Sequence, residues 1–129
     1  MAKTQSATVL VTSASNTSGS TTRGRLDCTA VDGGIVTVRM TNGGTAPSTQ
    51  CEARVLVAHK QTSMPAAAAE GTGDSDWKQV FAVGGTTTAN ASTRAQYAFG
   101  PEVAYIEVEF TGNTGQTVTV EAHATTYTY

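Results

Sequence analysis

Charge is scarce in this sequence. Only 14% of its 129 residues are Asp, Glu, Lys or Arg, against about 25% in an average globular chain. Eight basic and ten acidic residues leave a net charge of −2. A duplex-binding protein needs a basic stripe to neutralise phosphates, and none is visible, so nucleic acid is not an expected partner. Aromatic residues are few, at 6%. No apolar run approaches the roughly 20 residues that span a bilayer, so no membrane partner is expected either. The two cysteines, Cys28 and Cys51, are too few for a disulfide framework and lack the spacing of metal ligands. No apolar stretch of about 7–15 residues follows Met1–Ser6, which excludes a secretory signal there and points to synthesis in a cytosol.

Threonine is what the chain has in excess, with 24 residues of 129. Abundant Thr and Val argue against helical bundles and coiled coils. Apolar and polar residues alternate with period two, the mark of half-buried strands. Eight strands are expected: Ala7–Thr12, Thr22–Ala30, Ile35–Thr41, Cys51–His59, Trp77–Val83, Arg94–Phe99, Val103–Thr111 and Thr117–Thr126. Ala7, Val9 and Val11 share one face of the first. Leu26 and Cys28 face inward on the second, Val36, Val38 and Met40 on the third, and Ala53, Val55 and Val57 on the fourth. Ile106, Val108 and Phe110 face inward on the seventh, with Glu107 and Glu109 turned to water. Val118, Val120, Ala122 and Ala124 line the eighth. Asp32-Gly33-Gly34 and Gly112-Asn113-Thr114-Gly115 read as tight hairpin turns, since Gly supplies positive φ freely. Ala66–Ala69, after Met64-Pro65, is the one helix candidate, with Ser63 as cap and Gly71 as stop.

Half-polar strands cover one face of a core and show the other to solvent, and two such sheets make a sandwich. The expected fold is all-β: one eight-stranded antiparallel β-sandwich over residues 7–129, jelly-roll-like, preceded by a polar arm at residues 1–6. A Greek-key immunoglobulin-like sandwich is the alternative. Its Cys–Trp–Cys order fails here, because Trp77 follows both cysteines. In a meander of strands two to four, Cys28 and Cys51 stand two strands apart, roughly 9–10 Å. A disulfide needs Cα atoms within about 7 Å, so free buried thiols are favoured.

Reactive chemistry is sparse. His59 and His123 are the imidazoles available as bases, and neither has the nucleophile and orienting group of a triad. Glu107, Glu109 and Glu121 sit on a flat strand face, without the apolar cleft that raises a carboxyl pKa for glycosidic chemistry. Asp74-Ser75-Asp76 opens like a calcium loop but has Gly85 where the twelfth-position Glu belongs. No glycine pattern matches a phosphate loop. No enzyme, metal or cofactor is therefore expected. Trp77, Tyr97, Tyr105, Tyr127 and Tyr129 offer rings for sugar stacking, with core packing favoured for Trp77. The closing Thr-Tyr-Thr-Tyr alternation suits a neighbouring subunit.

From residue 74 onward, about half the chain carries a recognisable order: Asp74-Ser75-Asp76-Trp77, then Tyr97-Ala98-Phe99-Gly100-Pro101, then Ala104 through Gly115, then Val118-Thr119-Val120. This resembles the small β-sandwich decoration, or cement, proteins of tailed-bacteriophage capsids. Phage fibre modules and carbohydrate-binding modules have similar strand patterns. The resemblance implies a non-enzymatic virion protein, made in the host cytoplasm. It would assemble as a homotrimer on the capsid surface and bridge subunits of the major capsid protein. A tail fibre or spike that binds a receptor glycan is the alternative. The residues expected to meet partners are Lys3 and Gln5 in the arm, Arg23 and Arg25 on one strand face, and Tyr127 and Tyr129 at the closing strand.

Overall fold

The computed structural model describes residues 2–58, 64–65 and 77–129. Eight strands form: β1 (Thr4–Asn16), β2 (Thr22–Asp27), β3 (Gly33–Asn42), β4 (Glu52–Ala58), β5 (Lys78–Gly84), β6 (Ser92–Phe99), β7 (Tyr105–Thr111) and β8 (Val118–Thr128). They build two four-stranded sheets, in the orders β1-β8-β3-β6 and β2-β7-β4-β5. All neighbours are antiparallel, and β1 pairs with β8, β2 with β7, β3 with β6 and β4 with β5. That nesting is a long hairpin rolled upon itself, so every connection outside its β4–β5 tip passes between sheets. This is the jelly roll among the two sandwiches considered.

The core follows directly from the alternation. Val36, Val38 and Met40 of β3 and Val118, Val120, Ala122 and Ala124 of β8 face Leu26, Ala53, Val55, Ile106, Val108 and Phe110 of the other sheet. Burying one such aliphatic side chain is worth about 1.5–3 kcal/mol. Phe81 and Tyr97, with ring centroids 6.0 Å apart, bridge the sheets at the β5–β6 side.

Several sequence expectations are corrected. Gly33-Gly34 and Gly112–Gly115 do not turn hairpins, because β2 and β3, and likewise β7 and β8, lie in different sheets. Positive φ is nevertheless used at Gly112 (93°) and Gly115 (85°) to carry the crossover. Strands two to four form no meander: β7 stands between β2 and β4. Cys28 and Cys51 are free and buried. They lie beyond opposite ends of β7, the Cys28 amide donating to the Ala104 carbonyl and Cys51 next to Glu52, which is opposite Thr111. The arm is not separate, since Thr4–Ser6 already belong to β1 and pair with Thr126–Thr128. Bulges between Val9 and Val11 and between Val11 and Ala14 break the phase of that strand. Val11 is buried, whereas Ala7 and Val9 are exposed. His59, Ser63, Ala66–Ala69, Gly71 and Asp74-Ser75-Asp76 lie outside the described residues.

Polar side chains lock one end of the roll. Asn113, in the β7–β8 crossover, accepts a 2.6 Å bond from Asn16 Nδ2 and donates to the Asn16 and Gln116 carbonyls. Asn16 Oδ1 accepts from the Thr22 hydroxyl. Both asparagines are fully buried, where an unpaired amide would cost about 1–3 kcal/mol. Asn42 does the same elsewhere, donating to the Thr86 and Thr88 carbonyls.

Candidate functional site

The six residues expected to meet partners fall into two groups. Arg23 and Arg25 lie on the outer face of the β2 sheet. Their partners in register are Glu109 and Glu107 of β7, and each guanidinium Nε donates to its carboxylate at 3.1 Å. Both glutamates are buried, at 0% and 1% exposure, contrary to the expectation that they face water. The reason is position: β7 is a central strand, flanked by β2 and β4, and long side chains on both sides lie over it. Arg54 of β4 stands opposite Glu109 and bonds Glu52 at 2.7 Å. Beyond Glu107, on the same face, Leu56, Ala58, Trp77 and Tyr105 form a second apolar cluster. Trp77 is thus buried, as favoured, but outside the main core. Arg23 and Arg25 thus stay exposed themselves while each covers a buried carboxylate of β7.

The other four residues converge. Gln5 pairs with Tyr127 across the β1–β8 ladder. Lys3 Nζ lies 5.7 Å from the Tyr127 ring centroid, within cation–π range. The Tyr127 and Tyr129 rings meet edge to face at 5.6 Å. The Tyr129 amide donates to Asp32 Oδ2 at 2.8 Å, fixing the end of the chain. Tyr129 is 66% exposed. Tyr127 and Tyr129 follow the outward phase of β8, so they cap one corner of the outer face of the β1 sheet. An exposed Tyr129 ring resting on a half-buried Tyr127, with a cation near the latter, suits macromolecular contact.

The same outer face continues as a shallow groove of about 410 Å³ lined by Thr37, Arg39, Arg94, Gln96, Glu121 and His123. Glu121 lies between Arg39 Nη1 (3.5 Å) and His123 Nε2 (3.8 Å). His123 is half-exposed there. Among the described residues no three His, Cys, Asp or Glu side chains gather as metal ligands, and no helix is long and apolar enough to cross a membrane.

The thiols are chemically quiet. Burial pushes Cys28 up to about 12, with the Asp27 charge adding to it, and burial pushes Cys51 up to about 11. Thiolates, the reactive form, are therefore disfavoured in the folded protein. Asp27 is lowered by hydrogen bonds from the Thr29 hydroxyl and amide.

The buried glutamates and the asparagine lock escaped sequence reasoning. Arg23-x-Arg25 and Glu107-x-Glu109 share the same two-residue spacing, a signal that the two segments pair face to face. Nothing in the sequence marks Asn16 and Asn113 as partners.

These features define an all-β jelly-roll domain with one self-satisfied outer face and one open one. No family model matches the chain, and no curated protein matches it. Solved structures do. The chain resembles a structure of infectious bursal disease virus Gx strain, with 9% identity and a TM-score of 0.55 over 99% of this chain and 32% of that one. It also resembles the K3 cleaved adhesin domain of Lys-gingipain from Porphyromonas gingivalis W83, with 7% identity and a TM-score of 0.55 over 93% and 72% of the two chains. The SPBc2 prophage-derived protein YomS matches over 99% of this chain and 96% of that one, with 13% identity and a TM-score of 0.48. At these identities the likeness is one of fold.

Proposed function

We propose that the protein is a non-enzymatic virion component that seats on the outer surface of a phage capsid and stabilises it by bridging major capsid protein subunits. The observation that carries this reading is the gathering of Lys3, Gln5, Tyr127 and Tyr129 at one exposed corner of the β1 sheet. Two distant chain segments meet there, and the ring of Tyr129 is left exposed. The sequence resemblance to decoration proteins and the shared fold with a virus structure support the same reading. A piece that binds the assembled shell but not its free subunits stabilises the shell by mass action. Many copies on one shell let each contact be weak.

Capsids stripped of the protein provide the test. The protein should co-sediment with them and raise their rupture temperature on heating. Loss of co-sedimentation on Tyr129→Ala, with folding intact, would place the contact at this corner. Capsids that neither bind the protein nor gain heat resistance would refute the proposal. The second reading, glycan binding, rests on the groove beside His123 and Gln96. A glycan-array signal lost on Gln96→Ala, without capsid binding, would establish it instead.

A further inference from the structure

Each four-stranded sheet has two edges, and three of the four edge strands carry a device against pairing with other strands. β2 has Arg23, Arg25 and Asp27. β5 has Lys78 and a bulge opposite Val55/Leu56. β6 has Arg94. β1 differs. No charged residue stands between Lys3 and Arg23 in the sequence. Its second half, from Leu10, is protected by two bulges and by β2, whose Gly24 approaches the Leu10 carbonyl so closely that a Cβ would collide with it. Its first half, Thr4–Val9, has neither. These six residues keep an unbroken register with β8, are all exposed, and among the described residues have no strand on their other side. Val9, 55% exposed, is among the most exposed large apolar side chains described.

We infer that Gln5–Val9, within this open half of β1, pairs antiparallel with the same segment of a second copy, joining the two β1 sheets into one continuous sheet across a twofold axis. The segment is self-complementary. With the axis at Ala7, Gln5 meets the partner's Val9, and Ser6 meets the partner's Thr8. Opposed residues then lie on the same face, as an antiparallel ladder requires. Gln5, Ala7 and Val9 share the outer face, because they oppose Tyr127, Thr125 and His123 on the outward phase of β8. The smallest of them, Ala7, lies on the axis, and no like charges meet. An isologous contact of this kind closes as a dimer, in place of the homotrimer that the family resemblance implies. It does not depend on capsid binding.

Sedimentation equilibrium of the purified protein over a range of concentrations tests it. The wild type should form dimers. Ala7→Lys and Ala7→Glu each place like charges directly opposite on the axis and should weaken dimerisation by about tenfold or more, with unchanged unfolding midpoints extrapolated to the monomer. Mixing the two variants should restore dimers, as Lys–Glu heterodimers. A protein that is monomeric at every concentration, a trimer, or a dimer indifferent to both substitutions would overturn the inference. So would a monomeric wild type whose capsid loading is lost on Ala7→Lys, since the edge would then take a strand of another protein.

Discussion

The two sheets share one core but treat their outer faces in opposite ways. On the β2 sheet, Glu107 and Glu109 are buried beneath Arg23 and Arg25, and Trp77 and Tyr105 complete a second apolar cluster. On the β1 sheet, Tyr129 and Val9 are exposed, and the polar residues around Arg39 and His123 line an open groove. Both faces carry charge, and they differ in how it is used: on the β2 sheet Arg23 and Arg25 cover buried carboxylates of the neighbouring strand, whereas on the β1 sheet Arg39, Arg94 and Glu121 line an open groove.

Substitutions on the two faces should separate accordingly. The largest effect is expected from Trp77→Ala, which empties a site that is 1% exposed on the β2-sheet face. It should cost about 3–5 kcal/mol in urea unfolding. Next comes Arg23→Ala, which leaves Glu109 buried without its nearest cation and should cost about 1–3 kcal/mol. Replacing the pair together, Arg23→Met with Glu109→Leu, should recover most of that loss, because an apolar pair of similar size avoids the desolvation of the charges.

The thiols sharpen the picture at smaller magnitude. Cys28 and Cys51 are raised to about 12 and about 11, from an ordinary value near 9. A pKa raised by folding contributes stability that is complete below the unfolded value and is lost as pH rises toward the folded one. Stability should thus hold up to about pH 9 and decline above it, by at most about 1.4 kcal/mol per thiol for each pH unit. Unfolding midpoints across that range would show it, and a Cys28→Ala/Cys51→Ala double variant should flatten the slope. The smallest effect belongs to the open face: Tyr129→Ala should change stability by less than about 0.5 kcal/mol.

Much of the fold is legible in the sequence, because period two encodes which residues enter a core. Val36, Val38 and Met40, or Val118 and Val120, reveal their burial without any tertiary knowledge. Alternation does not encode which strand is central and which is an edge. Glu107 and Glu109 therefore read as solvated, although β7 is flanked on both sides. It also fails where a bulge slips the phase, as at Leu10, which turns Val9 outward and Val11 inward. The glycine-rich turns signal a change of direction but not whether the chain returns in the same sheet or crosses to the other. Of the interaction residues, those at the two ends of the chain come together because β1 and β8 are neighbours, a closeness that the jelly-roll topology supplies. Arg23 and Arg25 share their spacing with the β7 glutamates and pair with them.

Parallel co-sedimentation of two variants with stripped capsids tests the division between the faces most directly. Tyr127→Ala/Tyr129→Ala alters the open face, and Arg23→Met/Glu109→Leu alters the closed one. The first should lose capsid binding while remaining folded and unfolding cooperatively, and the second should bind capsids as the wild type does. Binding that survives the tyrosine changes but disappears with the Arg23–Glu109 pair would contradict the account.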